Sequence, residues 1–122
     1  MKYLILFFIL ISNCFATYKP YPLNTTVKGI SFVSAYITNG GACAISSQDG
    51  GWIQSVSRPS AGQCDLDITG YFSAAPHCFV RCLTPSYFGI LGSVTSTNVS
   101  AVCGTVSTQT DTNFHILCYG AK

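Results

Sequence analysis

Six cysteines, Cys43, Cys64, Cys78, Cys82, Cys103 and Cys118, are spread unevenly through this chain, and a seventh, Cys14, sits inside an apolar N-terminal run. If that run is removed on export, the remaining set is even. An even set in a small exported chain reads as a framework of up to three disulfides, whose pairing the sequence does not choose. Zinc ligation is disfavoured, because the chain has no C-x-x-C pair and Cys78-x-x-x-Cys82 has no matching second pair. A lone nucleophilic thiol would leave an odd cysteine behind. Disulfides therefore set the frame, each stabilising by about 2–4 kcal/mol, mainly through the unfolded chain. No metal or other cofactor is expected.

The first 16 residues have the layout of a cleaved secretory signal. Lys2 gives a short basic start, Tyr3 to Ile11 an apolar stretch, and Cys14-Phe15-Ala16 places small residues at the −3 and −1 positions before Thr17. The apolar stretch falls well short of the ~20 residues of a membrane-spanning helix, so the mature chain is expected to have no transmembrane span. A competing reading takes Ile11-Ser12-Asn13-Cys14 as a lipobox and Cys14 as a lipid-modified terminus, although Asn13 stands where that motif wants Gly, Ala or Ser. Either way the address is secreted, extracellular, or periplasmic and cell-surface.

Only 8% of the 122 residues are charged, and Glu is absent. Removing Lys2 with the signal leaves five basic against four acidic side chains, which offers no phosphate-neutralising patch and disfavours nucleic-acid binding. Abundant Gly, Ser, Thr and Asn favour strands and turns over helices. Residues 17–26 carry two prolines and no periodicity, and read as an extended leader. The remainder, 27–122, reads as one domain.

Eight strands are expected, over 27–38, 42–48, 52–57, 63–69, 77–83, 88–95, 98–108 and 114–119, separated by turn signals such as Asn39-Gly40-Gly41 and Asp49-Gly50-Gly51. In the first, Val33, Ala35 and Ile37 alternate with Ile30, Phe32 and Tyr36. Both faces are apolar, so the strand is central or lies at a subunit interface. In the last, Phe114, Ile116 and Cys118 alternate with His115, Leu117 and Tyr119. Cys64, Cys78, Cys82 and Cys118 fall on apolar faces, and Cys103 shares a face with Val99 and Ala101. The architecture that results is all-β: an antiparallel, disulfide-stabilised sandwich of jelly-roll type.

Candidate chemistry is sparse, and no catalytic residue is assigned. Asp65 and Asp67 share the polar face of one strand, where they could ligate calcium or act as an acid–base pair. If that strand forms a hairpin with 77–83, Asp65 lies opposite Arg81 as an exposed ion pair, with Cys64 near Cys82. His77 and His115 read as surface histidines, though a hydrolase could assemble either with an Asp and a Ser. Among the aromatics, Tyr71, Tyr87 and Trp52 are the candidate binding residues for stacking on a sugar or anchoring a protein contact. Trp52, Phe72 and Phe88 have core filling as their alternative. Asn24-Thr25-Thr26 and Asn98-Val99-Ser100 fit the N-glycosylation pattern, relevant if the source is eukaryotic.

One stretch, GGACAISSQDGGWIQSVSRPSAGQCDLDITGYFSAAPHCFV, resembles the cysteine-bearing C-terminal head domains of phage tail fibres and bacterial surface proteins. Their pattern S-x-G-x-[YC]-x-[LIV] followed by F-S-x-x-P-x-C falls here on Ser60, Gly62, Cys64 and Leu66, then Phe72, Ser73, Pro76 and Cys78. The closing TDTNFHILCYGAK resembles their terminal D-x-x-F-x-[IV]-x-C-x-G strand. Such heads look like C1q/TNF-type jelly rolls, which implies a homotrimer presenting loops to a receptor or glycan. The resemblance supplies no catalytic residue, and this chain has no coiled-coil or collagen-like stalk. The expected function is a non-enzymatic binding or adhesion module for a surface glycan or surface protein. Two alternatives are a small secreted hydrolase and a self-assembling structural surface subunit.

Overall fold

Eight strands and no helix make up the regular structure of residues 29–122, the part described by a computed structural model. The expected signal over 1–16, the expected leader over 17–26, Cys14 and Asn24 lie outside the described residues. The strands are β1 (Ile30–Asn39), β2 (Cys43–Gln48), β3 (Ser55–Ser57), β4 (Gln63–Asp67), β5 (His77–Cys82), β6 (Phe88–Val94), β7 (Asn98–Gly104) and β8 (Phe114–Ala121). They form two four-stranded antiparallel sheets, β2-β1-β8-β5 (sheet A) and β3-β4-β7-β6 (sheet B). Pairing is nested, with β1 against β8, β4 against β7, and β5 packed beside β6, so the chain winds as a jelly roll. Among the described residues no helix is long and apolar enough to cross a membrane.

All eight expected strands are present in order, most of them trimmed at one end, and the third and seventh are cut back far enough to show why. The third begins only at Ser55, because Trp52 drops into the core and Gln48 ties the approach by hydrogen bonds to both the N–H (2.8 Å) and the carbonyl (3.1 Å) of Ile53. The seventh ends at Gly104, where Thr105 N donates to Thr108 O and closes a turn.

Alternation decides what each sheet buries. Val33, Ala35 and Ile37 from β1 meet Phe114, Ile116 and Cys118 from β8, and across the sandwich Cys64, Leu66, Val99, Ala101 and Cys103. Trp52 is fully buried; its Nε1 donates to Ser34 O at 3.0 Å, and its ring meets Phe72 edge-on. Burying the indole with its one donor satisfied is what makes so large a polar-tipped ring acceptable in a core.

The three disulfides are Cys43–Cys64, Cys78–Cys118 and Cys82–Cys103. The first and third tie sheet A to sheet B, and the second joins directly opposed residues of β5 and β8. The hairpin considered between the fourth and fifth strands does not form. β4 pairs with β3 and β7 in one sheet while β5 pairs with β8 in the other, so Asp65 lies opposite Ser100, Arg81 lies opposite His115, and no Asp65–Arg81 pair exists. Sequence proximity favours the hairpin, but the wound topology sends these two consecutive strands to different sheets.

Two glycines fix how close the layers come. A Cβ on Gly62, whose φ is +72°, would lie 2.5 Å from Thr110 N and 2.6 Å from Cys103 O, so only glycine lets this turn pass under the β7–β8 connection. At Gly89 a Cβ would strike the Val80 carbonyl, where β6 abuts β5 and closes one side of the sandwich. The β7–β8 connection is clamped by its Asp111, which accepts from Arg58 Nε (3.0 Å), Arg58 Nη2 (2.7 Å) and Gly62 N (2.7 Å). The Arg58 and Gly62 donors hold the Asp111 carboxyl below the usual carboxylate range, and Asp111 in turn raises the Arg58 guanidinium.

Candidate functional site

The outward-facing residues of the three strands β1, β8 and β5 stand in register. The ladder places Phe32 beside Tyr119 beside His77 in one row, Ser34 beside Leu117 beside Phe79 in the next, and Tyr36 beside His115 beside Arg81 in the third. Six of these nine side chains are aromatic or imidazole rings, none is a carboxylate, and Arg81 is the one permanent charge.

The rings touch rather than merely share a face. Phe32 stacks on Tyr119 at 5.5 Å between centroids, His77 on Tyr119 at 5.1 Å, and Phe79 lies 6.4 Å from Tyr119. Tyr36 stacks on His115 at 4.9 Å, and its hydroxyl accepts from Asn113 Nδ2. Neighbouring strands are ~4.8 Å apart, which sets rings of one row at stacking distance and makes the platform semi-rigid. It is also open. Phe79 is 62% exposed, Phe32 37% and, at the head of β1, Ile30 38%.

The β2 border of this face carries its one acid. Asp49 follows β2, and its carboxylate accepts from Ser34 Oγ of the middle row. A shallow depression of about 210 Å3 there is lined by Ser34, Tyr36, Ser47, Asp49 and His115. This is the nearest approach to a Ser–His–Asp set, but the serine donates to the aspartate. His115 makes no hydrogen bond to Ser34, Ser47 or Asp49 among the described residues, and His77 lies two rows away.

The residues singled out from the sequence do not converge. Trp52 must be withdrawn as a binding residue, because it is wholly buried. Tyr71 is half-buried against the core; its hydroxyl pairs with Ser31 Oγ at 3.1 Å and Lys122 Nζ sits 4.6 Å from its ring centre. Tyr87, also half-buried, lines an open depression of about 510 Å3 with Arg81, Leu83, Pro85 and Phe88, near the other end of β5. Phe88, given core filling as its alternative, instead points to solvent with 59% exposure. Asp65 and Asp67 stay on the polar face of sheet B, where Asp65 accepts from Gln63 and Asp67 accepts from Thr69 N. Hydrogen bonds from Thr69 lower the Asp67 carboxyl below its ordinary range. Asn98 is half-buried on β7, opposite Asp67. Among the described residues no group of three or more His, Cys, Asp or Glu side chains could hold a metal ion.

The face itself was half visible in sequence. The outward sets of the first and last strands were readable from alternation, but the contribution of His77, Phe79 and Arg81 was not, because it depends on β5 lying beside β8. No family model, no curated protein and no solved structure matches the chain. The three disulfides point to an oxidising environment.

Proposed function

We propose that this is an exported, non-enzymatic binding module that docks onto a protein surface through the outer face of sheet A. The observation that carries the reading is the composition of that face: contiguous exposed rings around Leu117, one arginine, and no carboxylate on β1, β8 or β5. Protein-contact cores are enriched in aromatic residues and Arg and depleted in acids, and exposed apolar patches of this kind mark interaction sites. A sugar site needs acceptors and donors converging beside a ring; here the hydrogen-bonded pair of Ser34 and Asp49 sits toward the β2 border, away from the most exposed ring, Phe79.

Site-specific photocrosslinking tests it. The chain is expressed in full in its producing organism with a photoreactive phenylalanine at position 79 or, as control, at position 65 on sheet B. A discrete protein adduct from position 79 and not from 65 is expected. Glycan adducts alone, no adduct, or equal capture from both positions would overturn the reading.

A further inference from the structure

Charge placement on this face identifies what covers it. Arg81 occupies the β5 side of the third row and makes no ion pair among the described residues; Asp49 stands on the opposite side, over β1, bonded only to Ser34. The face is thus positive along one border and negative along the other, with rings between.

Two copies packed face to face with their strands aligned can be related by a two-fold axis running either along the strands or across them. An axis across the strands lays the third row over the partner's first row, which sets Arg81 against the histidine end and leaves Asp49 without a cation. An axis along β8 keeps each row over its own counterpart and exchanges the borders. Arg81 of one copy then lies over Tyr36 of the other, beside its Asp49, twice by symmetry. His77 lies over Phe32, and Tyr119 and Leu117 meet their own equivalents on the axis. This arrangement pairs both charges that the described residues place on the face and gives Arg81 an aromatic ring as well.

We infer that the docking partner is a second copy of this chain, held in an isologous, two-fold contact of sheet A on sheet A. The inference rests on the docking-face reading above and names its partner; the contact is homophilic. The four strands of sheet A, of six, ten, eight and six residues at ~3.3 Å per residue and ~4.8 Å spacing, give a planar footprint of roughly 480 Å2 per copy, in the range of weak, transient contacts. The dimer is accordingly reversible, as suits an adhesion contact.

A charge-exchange experiment tests the geometry. The full chain and the variants Arg81→Asp and Asp49→Arg are exported into an oxidising compartment, and their masses are followed by light scattering over a dilution series. Wild type is expected to pass from two chain masses to one on dilution. Each variant alone places like charges opposite each other twice and associates about tenfold more weakly or worse. An equimolar mixture of the two variants regains the dimer, since both contacts are then opposite in sign. Asp65→Arg, the same charge change on sheet B, leaves association unchanged. A mixture that stays apart, variants that dimerise like wild type, or a wild-type mass of three chains would each overturn the two-fold inference. A wild type that is monomeric throughout, with a crosslink from position 79 to a different protein, would also overturn it but leave the docking-face reading standing.

Discussion

The two sheets share one core and present opposite surfaces. Outside sheet A, three strands offer rings in register with no carboxylate among them. Outside sheet B, the facing strands offer Ser55, Ser57, Gln63, Asp65, Asp67, Asn98 and Ser100. There Gln63 Nε2 donates to both Asp65 (3.1 Å) and Ser100 Oγ (2.9 Å) and knits the surface together. Phe88, Ile90 and Val102 add an apolar corner at the β6 border, but β4 interrupts it with Gln63 and Asp65. A solvated antiparallel sheet ordinarily alternates apolar inside with polar outside, as most of sheet B does. Sheet A departs from that rule on three adjacent strands at once, and this difference is what supports the proposal that its surface makes the contact.

The sharpest way to break the comparison is to show that the faces do not lie outside a common core. Trp52→Ala should cost about 3–5 kcal/mol in urea unfolding of the oxidised protein, and both sheets should lose order in one transition. A loss below ~1 kcal/mol would mean that the indole is not packed as described. Next in size is the paired substitution Cys82→Ala with Cys103→Ala, which removes a tie between the sheets and should cost about 2–5 kcal/mol. Unfolding insensitive to reductant would contradict the three-disulfide frame.

Phe79→Ser separates association from stability. Its ring is largely exposed, so unfolding free energy should move by less than ~0.5 kcal/mol while self-association weakens about tenfold. Phe88→Ser, an equally exposed ring on sheet B, should leave association alone; the opposite result would reverse the assignment of faces. Arg58→Gln probes the clamp beneath both. Because the Asp111 carboxyl is depressed by its Arg58 and Gly62 partners, its contribution is full above the unfolded value of about 3.9 and is lost as pH falls through the folded value. The stability gap between wild type and Arg58→Gln should therefore hold from neutrality to about pH 4 and narrow below it. A gap that widens on acidification would refute the clamp. The smallest effect belongs to Asp65→Asn: less than ~0.5 kcal/mol, with no change in association.

Much of this fold is legible in the sequence because alternation is strict where strands cross the core. Val33, Ala35 and Ile37, then Cys64, Leu66 and Ile68, then Phe114, Ile116 and Cys118, declare their faces without knowledge of their neighbours. Strand order is not declared that way. The fourth and fifth strands are consecutive and could form a hairpin, yet the wound topology places them in different sheets, which is why Asp65 and Arg81 never meet. Disulfide pairing depends on the same order. Trp52 was ambiguous because a ring beside a Gly-Gly turn can fold either way, and the backbone acceptor that draws it inward, Ser34 O, comes from a strand 18 residues away. The proposed docking face needs both kinds of information, the outward parity of three strands and their adjacency, and only the first is written locally.

The claim that the two outer faces differ in use is tested most directly by hydroxyl-radical footprinting of the full, oxidised chain at dilute and concentrated ends of a series. Phe32, Phe79 and Tyr119 should lose reactivity together as concentration rises, while Phe88 and Ile90 stay as reactive as in the dilute sample. Protection of Phe88 and Ile90 instead, or equal reactivity of all five residues at both ends, would contradict the assignment of sheet A as the contact surface.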